Sequence, residues 1–453
     1  MNILGVSCYH HDSAAAHLKD NKIVAASQEE RFSRVKYDSR FPINTLKWLK
    51  DVYSSYDEVA FYDKQYFSQF KEDIKAFTKC KPVLVDHHEA HAMSSIITTN
   101  WDTCSVIVVD TQGGKFSTSL GVFEAGKITW IKRFRYPNSL GLFYSTATRL
   151  LGLTPLQDEA QVMAASLYGK PKWSNLIKDK ILNTSYGDYT VIPDLNRGLG
   201  YGSLDWDIAS SVQAVLEEAL VNLTQWLIDE TGLTNVAYAG GVALNCVANS
   251  AILKRTSCTH LAIQPAAGDA GCALGAAALI ERPLWRSAYL GVHSEPNIDV
   301  EECASMLLKG DVVPVIQGRA EFGPRALGNR SILSIPFDAN NEKLNIIKGR
   351  VTDSWRPYAP VCQETDVSTF FAVPQLSYDM LFTGDIIGGN FQNATNTARL
   401  QVTNPSKNPY LNRVIQLTKG KGYPILINTS LNAKGKPIVN TIEDLKNEIS
   451  IRN

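Results

Sequence analysis

The chain opens with Met1-Asn-Ile-Leu-Gly-Val-Ser-Cys-Tyr-His-His-Asp-Ser-Ala-Ala-Ala-His-Leu18, where apolar runs alternate with polar breaks. Such runs occupy residues 3–8, 13–18 and 22–27. The pattern predicts three short strands joined as a meander. A second series repeats it at residues 105–109, 118–123 and 128–135. A strand, an acidic or glycine-rich turn and a hairpin therefore occur twice.

The rest of the chain mixes predicted helices with strands. Apolar residues at every third or fourth position predict a long amphipathic helix over 207–231. A strand at 235–239 is followed by a Gly-Gly turn and a helix from about residue 243. The composition shifts around 285–300, where prolines cluster before an arginine-rich segment. We therefore expect an α/β protein with two domains, which span residues 1–295 and 296–453.

Composition excludes several classes of protein. The 453 residues carry 45 Lys plus Arg and 45 Asp plus Glu, so the formal net charge is zero. The long-range cationic field used by sequence-independent nucleic-acid or membrane-surface binders is therefore missing. The eight cysteines form no Cys-x-x-Cys pair, which argues against zinc ribbons and disulfide scaffolds. Since no signal peptide or membrane-spanning run is visible, we expect a soluble cytoplasmic protein.

The segment Asp86-His-His-Glu-Ala-His91 has the spacing of a metal site. On a helix, His87 and His91 project from one face, so both imidazoles can bind one ion. Asp110 follows a predicted strand and Asp269 lies in a glycine-rich turn, and both are candidate carboxylate ligands. Two histidines with one or two carboxylates suit Fe(II), Mn(II) or Zn(II). The alternative is a histidine pair that only caps or packs the helix.

Two further patterns concern proton transfer and phosphate binding. His10-His11-Asp12 lies in the first hairpin, where a histidine beside a carboxylate can act as a general base. It could equally be a turn histidine. The turns Gly240-Gly241, running to Asn245, and Gly268-Asp269-Ala-Gly271 each precede a predicted helix and can present N–H groups to phosphate. Two such turns favour a nucleotide, with tight packing of helix on sheet as the alternative.

Five arginines fall between residues 319 and 356, namely Arg319, Arg325, Arg330, Arg350 and Arg356. Guanidinium groups bind phosphate or carboxyl oxygens through two hydrogen bonds, so this segment predicts a site for a small polyanion. The alternative is a solvated face with scattered ion pairs. Interleaved Gly, Pro, Phe and Leu make that alternative weaker, because such residues bury the surrounding backbone.

Ten segments, taken in their order along the chain, resemble the O-carbamoyltransferases of antibiotic and nodulation-factor biosynthesis. The resemblance rests on residues 3–7, 11–15, 29–36, 86–91, 139–144, 240–245, 264–271, 321–333, 356–360 and 428–432. It implies a duplicated sugar-kinase/actin-like N-terminal domain, similar to the tRNA threonylcarbamoyl transferases, followed by a YrdC-like α/β domain. The second domain would form carbamoyl-adenylate and pyrophosphate from carbamoyl phosphate and ATP with Mg(II). The first would transfer the carbamoyl group to an acceptor hydroxyl and release AMP.

The resemblance also implies roles for individual residues. The base that takes the acceptor proton would be His11, next to Asp12. Iron or a similar ion would be held by His87, His91, Asp110 and Asp269. The nucleotide would be lined by Gly240, Gly241, Asn245 and Gly268. Carbamoyl phosphate and the ATP phosphates would be bound by Arg319, Arg325, Arg330, Arg350, Arg356, Asn428 and Ser430.

Lys115, Ala160 and Val351 depart from the family pattern, and we interpret them as signs of an altered acceptor pocket. The expected acceptor is a small molecule, and a homodimer is left open. One alternative acceptor is a hydroxymethylated base in DNA or a tRNA, since zero net charge is compatible with a flipped-out nucleotide. A sugar-kinase-like phosphotransferase would instead release ADP. A non-catalytic nucleotide- and metal-dependent interaction protein would bind without turnover.

Overall fold

The computed structural model describes residues 1–52, 55–192, 203–350, 352–389 and 395–450. Val351, one of the departures from the family pattern, lies outside these ranges. Among the described residues, no helix combines the length and the apolar character needed to cross a bilayer.

The first sheet contains five strands: β1 Asn2–Ser7, β2 Ala14–Lys19, β3 Lys22–Gln28, β4 Glu58–Phe61 and β5 Pro82–Leu84. Their order is β3-β2-β1-β4-β5. The first three form the predicted antiparallel meander, while β4 runs parallel to β1 and β5 parallel to β4. The accompanying helices are α1 Glu30–Ser33, α2 Ile43–Val52, α3 Phe67–Ile74 and α4 His87–Ile96.

The next part of the chain contains seven strands: β6 Thr103–Gly113, β7 Phe116–Glu124, β8 Lys127–Arg135, β9 Leu182–Ser185, β10 Asp188–Val191, β11 Asn235–Ala239 and β12 His260–Ile263. Its helices are α5 Leu140–Leu150, α6 Glu159–Ala165, α7 Ser174–Lys180, α8 Trp206–Thr231, α9 Cys246–Arg255 and α10 Asp269–Ile280. A short 3-10 turn, Gly241–Leu244, precedes α9 where the sequence predicted the start of a helix. The predicted long helix and the strand after it are confirmed as α8 and β11.

The second sheet repeats the order of the first. Its strands are arranged β12-β11-β6-β7-β8, while β9 and β10 form a separate hairpin. β6, β7 and β8 form an antiparallel meander, and β11 runs parallel to β6 and to β12. In both sheets the first strand of a meander therefore lies between its hairpin partner and a later parallel strand. This topology confirms an α/β fold with a duplicated N-terminal architecture.

Two helices fill the space between these sheets. α10 packs on β1, β2 and β4, while α4 packs on β6 and β11, and the two helices contact each other closely. Glycines allow the approach, because a Cβ at Gly275 would lie 1.8 Å from the carbonyl oxygen of Ala90. A Cβ at Gly5 would similarly lie 1.8 Å from the carbonyl oxygen of Ala273. The N-terminal parts of α4 and α10 carry three of the four predicted metal ligands, His87, His91 and Asp269, and β6 carries the fourth, Asp110.

The remaining strands are β13 Tyr289–Ser294, β14 Val313–Ile316, β15 Gly318–Glu321, β16 Arg330–Ser334, β17 Ala359–Gln363, β18 Phe371–Ala372, β19 Thr383–Ile386, β20 Thr397–Arg399, β21 Gln401–Thr403 and β22 Ile425–Ser430. The helices are α11 Val300–Leu308, α12 Asp338–Lys348, α13 Val367–Phe370, α14 Pro409–Lys419 and α15 Ile442–Ser450, with a 3-10 turn at Glu364–Asp366. Five strands form a mixed sheet in the order β14-β16-β22-β17-β21. β13 pairs with β15, so this two-stranded sheet crosses the predicted domain boundary.

Buried arginine contacts link α1 to the C-terminal part of the chain. Arg31, 2% exposed, donates to the carbonyl oxygen of Gly323 at 2.6 Å. Arg34 donates to the carbonyl oxygens of Ile438 at 2.7 Å and Pro437 at 3.0 Å. The Arg34 bonds hold the end of the segment 433–438 beside α1. We call this segment the strap.

Candidate functional site

A single cavity of about 1260 Å³ connects the N-terminal and C-terminal parts of the protein. Its predicted lining residues from the N-terminal part are His11, Asp12, Asp110, Gly241, Asn245, Gly268 and Asp269. Those from the C-terminal part are Arg325, Arg350, Arg356 and Ser430. Residues of the strap line it as well. The structure thus brings most of the predicted site residues together around one cavity.

The histidine pair lies at one end of this cavity, behind its wall. The Asp86 carboxylate caps α4 by accepting hydrogen bonds from the N–H groups of His88 and Glu89. The helix then places His87 and His91 on one face, with ring centroids 4.9 Å apart. Both side chains are buried, and neither ring nitrogen of either residue has a hydrogen-bond partner. Unpartnered polar atoms at this depth are costly, so the pair fits a bound cation.

Two carboxylates face the histidine pair, as the sequence predicted. Asp269 Oδ1 lies 3.5 Å from His87 Nε2 and 3.3 Å from His91 Nε2. Asp110 Oδ2 lies 3.8 Å and 3.6 Å from the same two atoms. The Asp110 Oδ1 atom accepts a hydrogen bond from the N–H group of Gly241 at 3.3 Å. We name these four side chains the histidine–aspartate cluster.

Charge in this cluster is balanced by protonation when no cation is bound. Burial lowers the pKa of His87, but the Asp269 carboxylate outweighs that effect and raises the pKa to about 10. Burial raises the pKa of Asp269, but the neighbouring imidazoles of His87 and His91 hold it well below its usual range. A cation would take the place of these protons, because only the neutral imidazole nitrogen can bind a metal.

The hairpin between β1 and β2 holds His11 at the cavity wall. Tyr9 and Asp12 adopt positive φ values of 77° and 48°, a backbone strain typical of functional turns. His11 Nδ1 lies 3.1 Å from Asp12 Oδ2, and its Nε2 lies 2.9 Å from the carbonyl oxygen of Leu156. Both partners are acceptors, so both ring nitrogens carry a proton. Burial lowers the pKa of His11, but Asp12 raises it to about 9.

The neighbouring histidine makes a separate pair with a carboxylate. His10 Nε2 contacts the buried carboxylate of Asp63, and the two form an ion pair. That hydrogen bond raises the pKa of His10. Its ring centroid lies 6.2 Å from that of His87. His10 therefore lies between the hairpin and the histidine–aspartate cluster.

The glycine-rich turns differ in what they do. Gly240 has φ 95°, and a Cβ there would lie 2.2 Å from the carbonyl oxygen of Val109, so this glycine permits close packing of β11 on β6. Gly268 borders the cavity, with nothing within 4 Å of the position of a Cβ. Asn245 lines the cavity, yet its amide exchanges hydrogen bonds with Gln213 at 2.9 and 3.1 Å. Gly241 and Gly268 leave backbone open to a ligand.

The opposite end of the cavity is cationic. The Nε of Arg325 is buried without a hydrogen-bond partner, and burial lowers the pKa of this guanidinium. The Arg350 guanidinium stacks over the ring of Tyr358 at 4.6 Å. Burial and the charge of Arg356 lower the pKa of Arg350. Unneutralised guanidinium groups in a partly desolvated wall are suited to a phosphate-rich ligand.

Three predicted phosphate binders are absent from the described cavity wall. Arg319 donates to the carbonyl oxygens of Gly291 and Leu290. Arg330, 1% exposed, donates to several carbonyl oxygens, among them those of Val292, Gln317 and Asn440, each at 2.8 Å. Asn428 donates to the Ala326 carbonyl and the Gln401 side chain. These groups hold strands and loops behind the cationic wall.

Several cationic residues of this end were missed in the sequence. Lysines that line the cavity are Lys36, Lys348, Lys434 and Lys436. Lys348 Nζ donates to Ser430 Oγ at 3.0 Å and to Asn432 Oδ1 at 2.6 Å. Arg399 lies behind them, and burial and the charge of Arg325 lower its pKa to about 9. In the sequence, the position of Lys348 two residues before Arg350 could have indicated that it belongs to the same phosphate-binding segment. We name the lining arginines and lysines the cationic wall.

The other departures from the family pattern lie apart from one another. Ala160 lines the cavity, whereas Lys115 is exposed in the turn between β6 and β7. A Cβ at nearby Gly113 would lie 2.4 Å from the His88 ring. Of Lys115 and Ala160, only Ala160 therefore borders the space in which an acceptor would bind.

Comparison with known proteins gives consistent matches along the chain. Residues 2–69, 53–195 and 194–278 match the family model described as Carbamoyltransferase N-terminus. Residues 304–451 match the model described as Carbamoyltransferase C-terminus. An uncharacterized protein of Synechocystis sp. is 31% identical over 98% of this chain and 93% of its own length.

Relatives with named activities are also similar. Nodulation protein NolO of Bradyrhizobium diazoefficiens is 32% identical over 80% of this chain and 75% of its own length. The 3'-hydroxymethylcephem-O-carbamoyltransferase of Streptomyces clavuligerus is 33% identical over 47% of this chain and 45% of its own length. Full-length HypF in a phosphate- and nucleotide-bound form is 13% identical, with a TM-score of 0.43, over 62% of this chain and 55% of that chain.

Proposed function

The chain belongs to the carbamoyltransferase family and is a transferase, and from this premise we propose that it is an ATP-dependent O-carbamoyltransferase. Carbamoyl phosphate and ATP would react at the cationic wall, and the carbamoyl group would move to an acceptor hydroxyl at His11. The observation that carries the proposal is the single cavity shared by these two ends. The acceptor is a small hydroxyl compound, a class consistent with the cephem substrate named for the Streptomyces relative.

The first half-reaction activates the carbamoyl group at the expense of ATP. Water hydrolyses carbamoyl phosphate to carbamate and inorganic phosphate. A carbamate oxygen then attacks the α-phosphorus of ATP, and pyrophosphate leaves with the electron pair of the phosphorus–oxygen bond that joined it to the α-phosphate. Arg325, Arg350 and Arg356 neutralise the phosphate charges, although Arg356 also pairs with Asp353 at 3.3 Å. Lys348 and Ser430 orient the carbamoyl end through the hydrogen bonds that join them.

The second half-reaction is attack of a hydroxyl on the carbonyl carbon of carbamoyl-adenylate. An alcohol is a weak nucleophile, so it needs a base at its oxygen. His11 Nε2 supplies that base once it has lost its proton and exchanged the Leu156 carbonyl for the acceptor hydroxyl. Asp12 stays at Nδ1 and stabilises the imidazolium that forms. AMP leaves as the carbon–oxygen bond to the acceptor forms.

The histidine–aspartate cluster fits a divalent cation of the Fe(II), Mn(II) or Zn(II) class, because two buried imidazoles without hydrogen-bond partners converge with two carboxylates. His87, His91, Asp110 and Asp269 would hold it. When bound, it would supply positive charge beside the adenylate phosphate. The backbone at Gly241 and Gly268 would line the nucleotide, since both residues border the cavity close to the cluster.

The two half-reactions would be assigned to successive parts of the chain. Residues 1–295 would carry the transfer site and residues 296–453 the adenylate-forming site. A mixed anhydride hydrolyses in water, so it gains from a closed path between the sites. The strap forms part of that path, because it lines the cavity and is held by Arg34.

Product analysis tests the proposal. The enzyme is incubated with ATP, Mg(II), carbamoyl phosphate and a panel of hydroxyl compounds, and nucleotides are separated by chromatography. We expect AMP, pyrophosphate and inorganic phosphate in equal amounts, together with an acceptor heavier by one carbamoyl group. Release of ADP would instead identify a phosphotransferase. Binding of ATP without turnover under all conditions would reject an enzyme of this kind.

A further inference from the structure

Cys272 is a buried thiol that the predicted chemistry leaves unused. It lies in the first turn of α10, three residues after Asp269, and its side chain is 0% exposed. Ligand atoms of His87, His91, Asp269 and Cys272 all lie within 4.8 Å of one another. From the sequence Cys272 looked like one of several isolated reduced thiols. The structure makes it the neighbour of the histidine pair.

Local structure explains why the sulfur lies there. Residues three apart on a helix share a face, so Asp269 and Cys272 both project toward α4. The close approach of α4 and α10 depends on Gly275, whose missing side chain leaves room for the Ala90 carbonyl oxygen. Ala90 directly precedes His91, so this contact brings the sulfur to the histidines.

A second observation points to a ligand at this position. The ring nitrogens of His87 and His91 are buried without hydrogen-bond partners, although they face the sulfur and the carboxylates. Asp110 and Asp269 line the cavity, whereas Cys272 belongs to a buried apolar group with Ala60, Tyr62, Ala90 and Ala276. The sulfur therefore closes the inner side of the cluster, away from substrate.

We propose that Cys272 supplies a thiolate ligand to the divalent cation, in addition to the imidazoles and carboxylates of the histidine–aspartate cluster. This inference rests on the cation site of the proposed function and assigns a donor that the sequence pattern did not include. A thiolate donor selects Zn(II), Fe(II) or Co(II) over Mg(II) and Mn(II).

Cobalt spectroscopy tests the sulfur ligand without relying on activity. Metal-free full-length protein is titrated with Co(II), and bound metal is counted after gel filtration. We expect one bound Co(II) and a near-ultraviolet band from thiolate-to-cobalt charge transfer. Cys272→Ser should lose the band, while Cys104→Ser, which changes a buried cysteine in β6, should keep it.

Zinc X-ray absorption of the wild-type protein gives a readout that needs no variant. A zinc–sulfur distance of about 2.3 Å is expected. One bound cobalt with no charge-transfer band, or zinc with only nitrogen and oxygen neighbours, would overturn the sulfur ligand and leave the cation site standing. A band that persists in Cys272→Ser would also overturn it. Failure of the wild type to bind any cobalt would reject the cation site itself.

Discussion

The two ends of the cavity are built in opposite ways. The histidine–aspartate cluster takes its side chains from the starts of two packed helices and from the end of β6, and acids there face imidazoles at 3.3–3.8 Å. The cationic wall takes its side chains from loops and from the end of α12, and Asp353 pairs there with Arg356 and Lys434. One end is arranged around a cation and the other around anions. Because the two ends are built from different residues, we expect a substitution at one end to remove its half-reaction and leave the other half-reaction intact.

Loss of His11 gives the largest expected effect and separates the two ends most clearly. His11→Ala removes the base, so carbamoyl transfer should fall by about 10²- to 10⁴-fold. Pyrophosphate release at the cationic wall should persist. Both products are measured in one stopped assay, with His260→Gln, an exposed histidine on β12, as the control. Equal loss of both products would remove the distinction between the ends.

Arg330 and Arg325 should differ in what they contribute to stability. Arg330→Met leaves the carbonyl oxygens of Val292, Gln317 and Asn440 without their buried donor. We expect the free energy of unfolding to fall by about 3 kcal/mol, because unsatisfied buried groups cost about 1–3 kcal/mol each and partly relax. Arg325→Met should change it by less than about 1 kcal/mol. Urea unfolding measures both, and equal losses would contradict the assignment of Arg330 to the scaffold.

Arg325 should matter for the first half-reaction instead. Arg325→Met removes one charge-assisted contact to phosphate, a contact of about 1.5–3 kcal/mol. Adenylate formation should therefore slow by about 10- to 150-fold. Pyrophosphate release at saturating and limiting carbamoyl phosphate measures the loss. An unchanged rate would mean that the phosphates bind elsewhere along the wall.

The two ends should also differ in pH dependence. Because Asp12 raises the pKa of His11 to about 9, the base is mostly protonated at neutral pH. Transfer should rise about tenfold per pH unit up to about pH 9 and then level off. A bound cation would repel the His11 imidazolium and lower its pKa. The rise in the transfer rate would then occur at lower pH. Adenylate formation should stay level over the same range, since guanidinium groups remain charged. A flat transfer profile would argue against His11 as the base.

The strap should have the smallest effect. Arg34→Met removes two hydrogen bonds that hold it, those to the carbonyl oxygens of Pro437 and Ile438. A net loss of about 1 kcal/mol would raise the open population about fivefold. More carbamoyl-adenylate should then hydrolyse, so the ratio of AMP to carbamoylated acceptor should increase. Arg413→Met, which changes an exposed arginine on α14, is the control. An unchanged ratio would show that the strap does not retain the intermediate.

The sequence could predict those parts of the two cavity ends in which the contacting residues lie close together in the chain. His87 and His91 belong to one helix, so their spacing alone placed them side by side. The repeated strand meander is also a local pattern, and both copies folded as predicted. Asp110 and Asp269 were predicted because one follows an apolar run and the other lies in a glycine-rich turn, although the strand β6 continues past Asp110 to Gly113.

The remaining contacts depend on pairs of residues far apart in the chain. Cys272 meets the histidines only because α4 and α10 pack closely, which no local spacing reveals. Arg330 and Arg325 belong to one motif, yet only the carbonyls that surround Arg330 show it to be part of the scaffold. Lys348 joins the wall through Ser430, which is brought to it by the five-stranded sheet.

A mixing experiment tests the central claim, that one shared cavity carries the activated carbamoyl group between its two ends. His11→Ala and Arg325→Met proteins are combined with ATP, carbamoyl phosphate and acceptor, and carbamoylated acceptor is quantified by mass spectrometry. If the intermediate stays within one chain, the mixture yields no more product than the sum of the two variants. Restoration of product toward the wild-type amount would mean that the intermediate travels through solution, and the shared cavity would lose its proposed purpose.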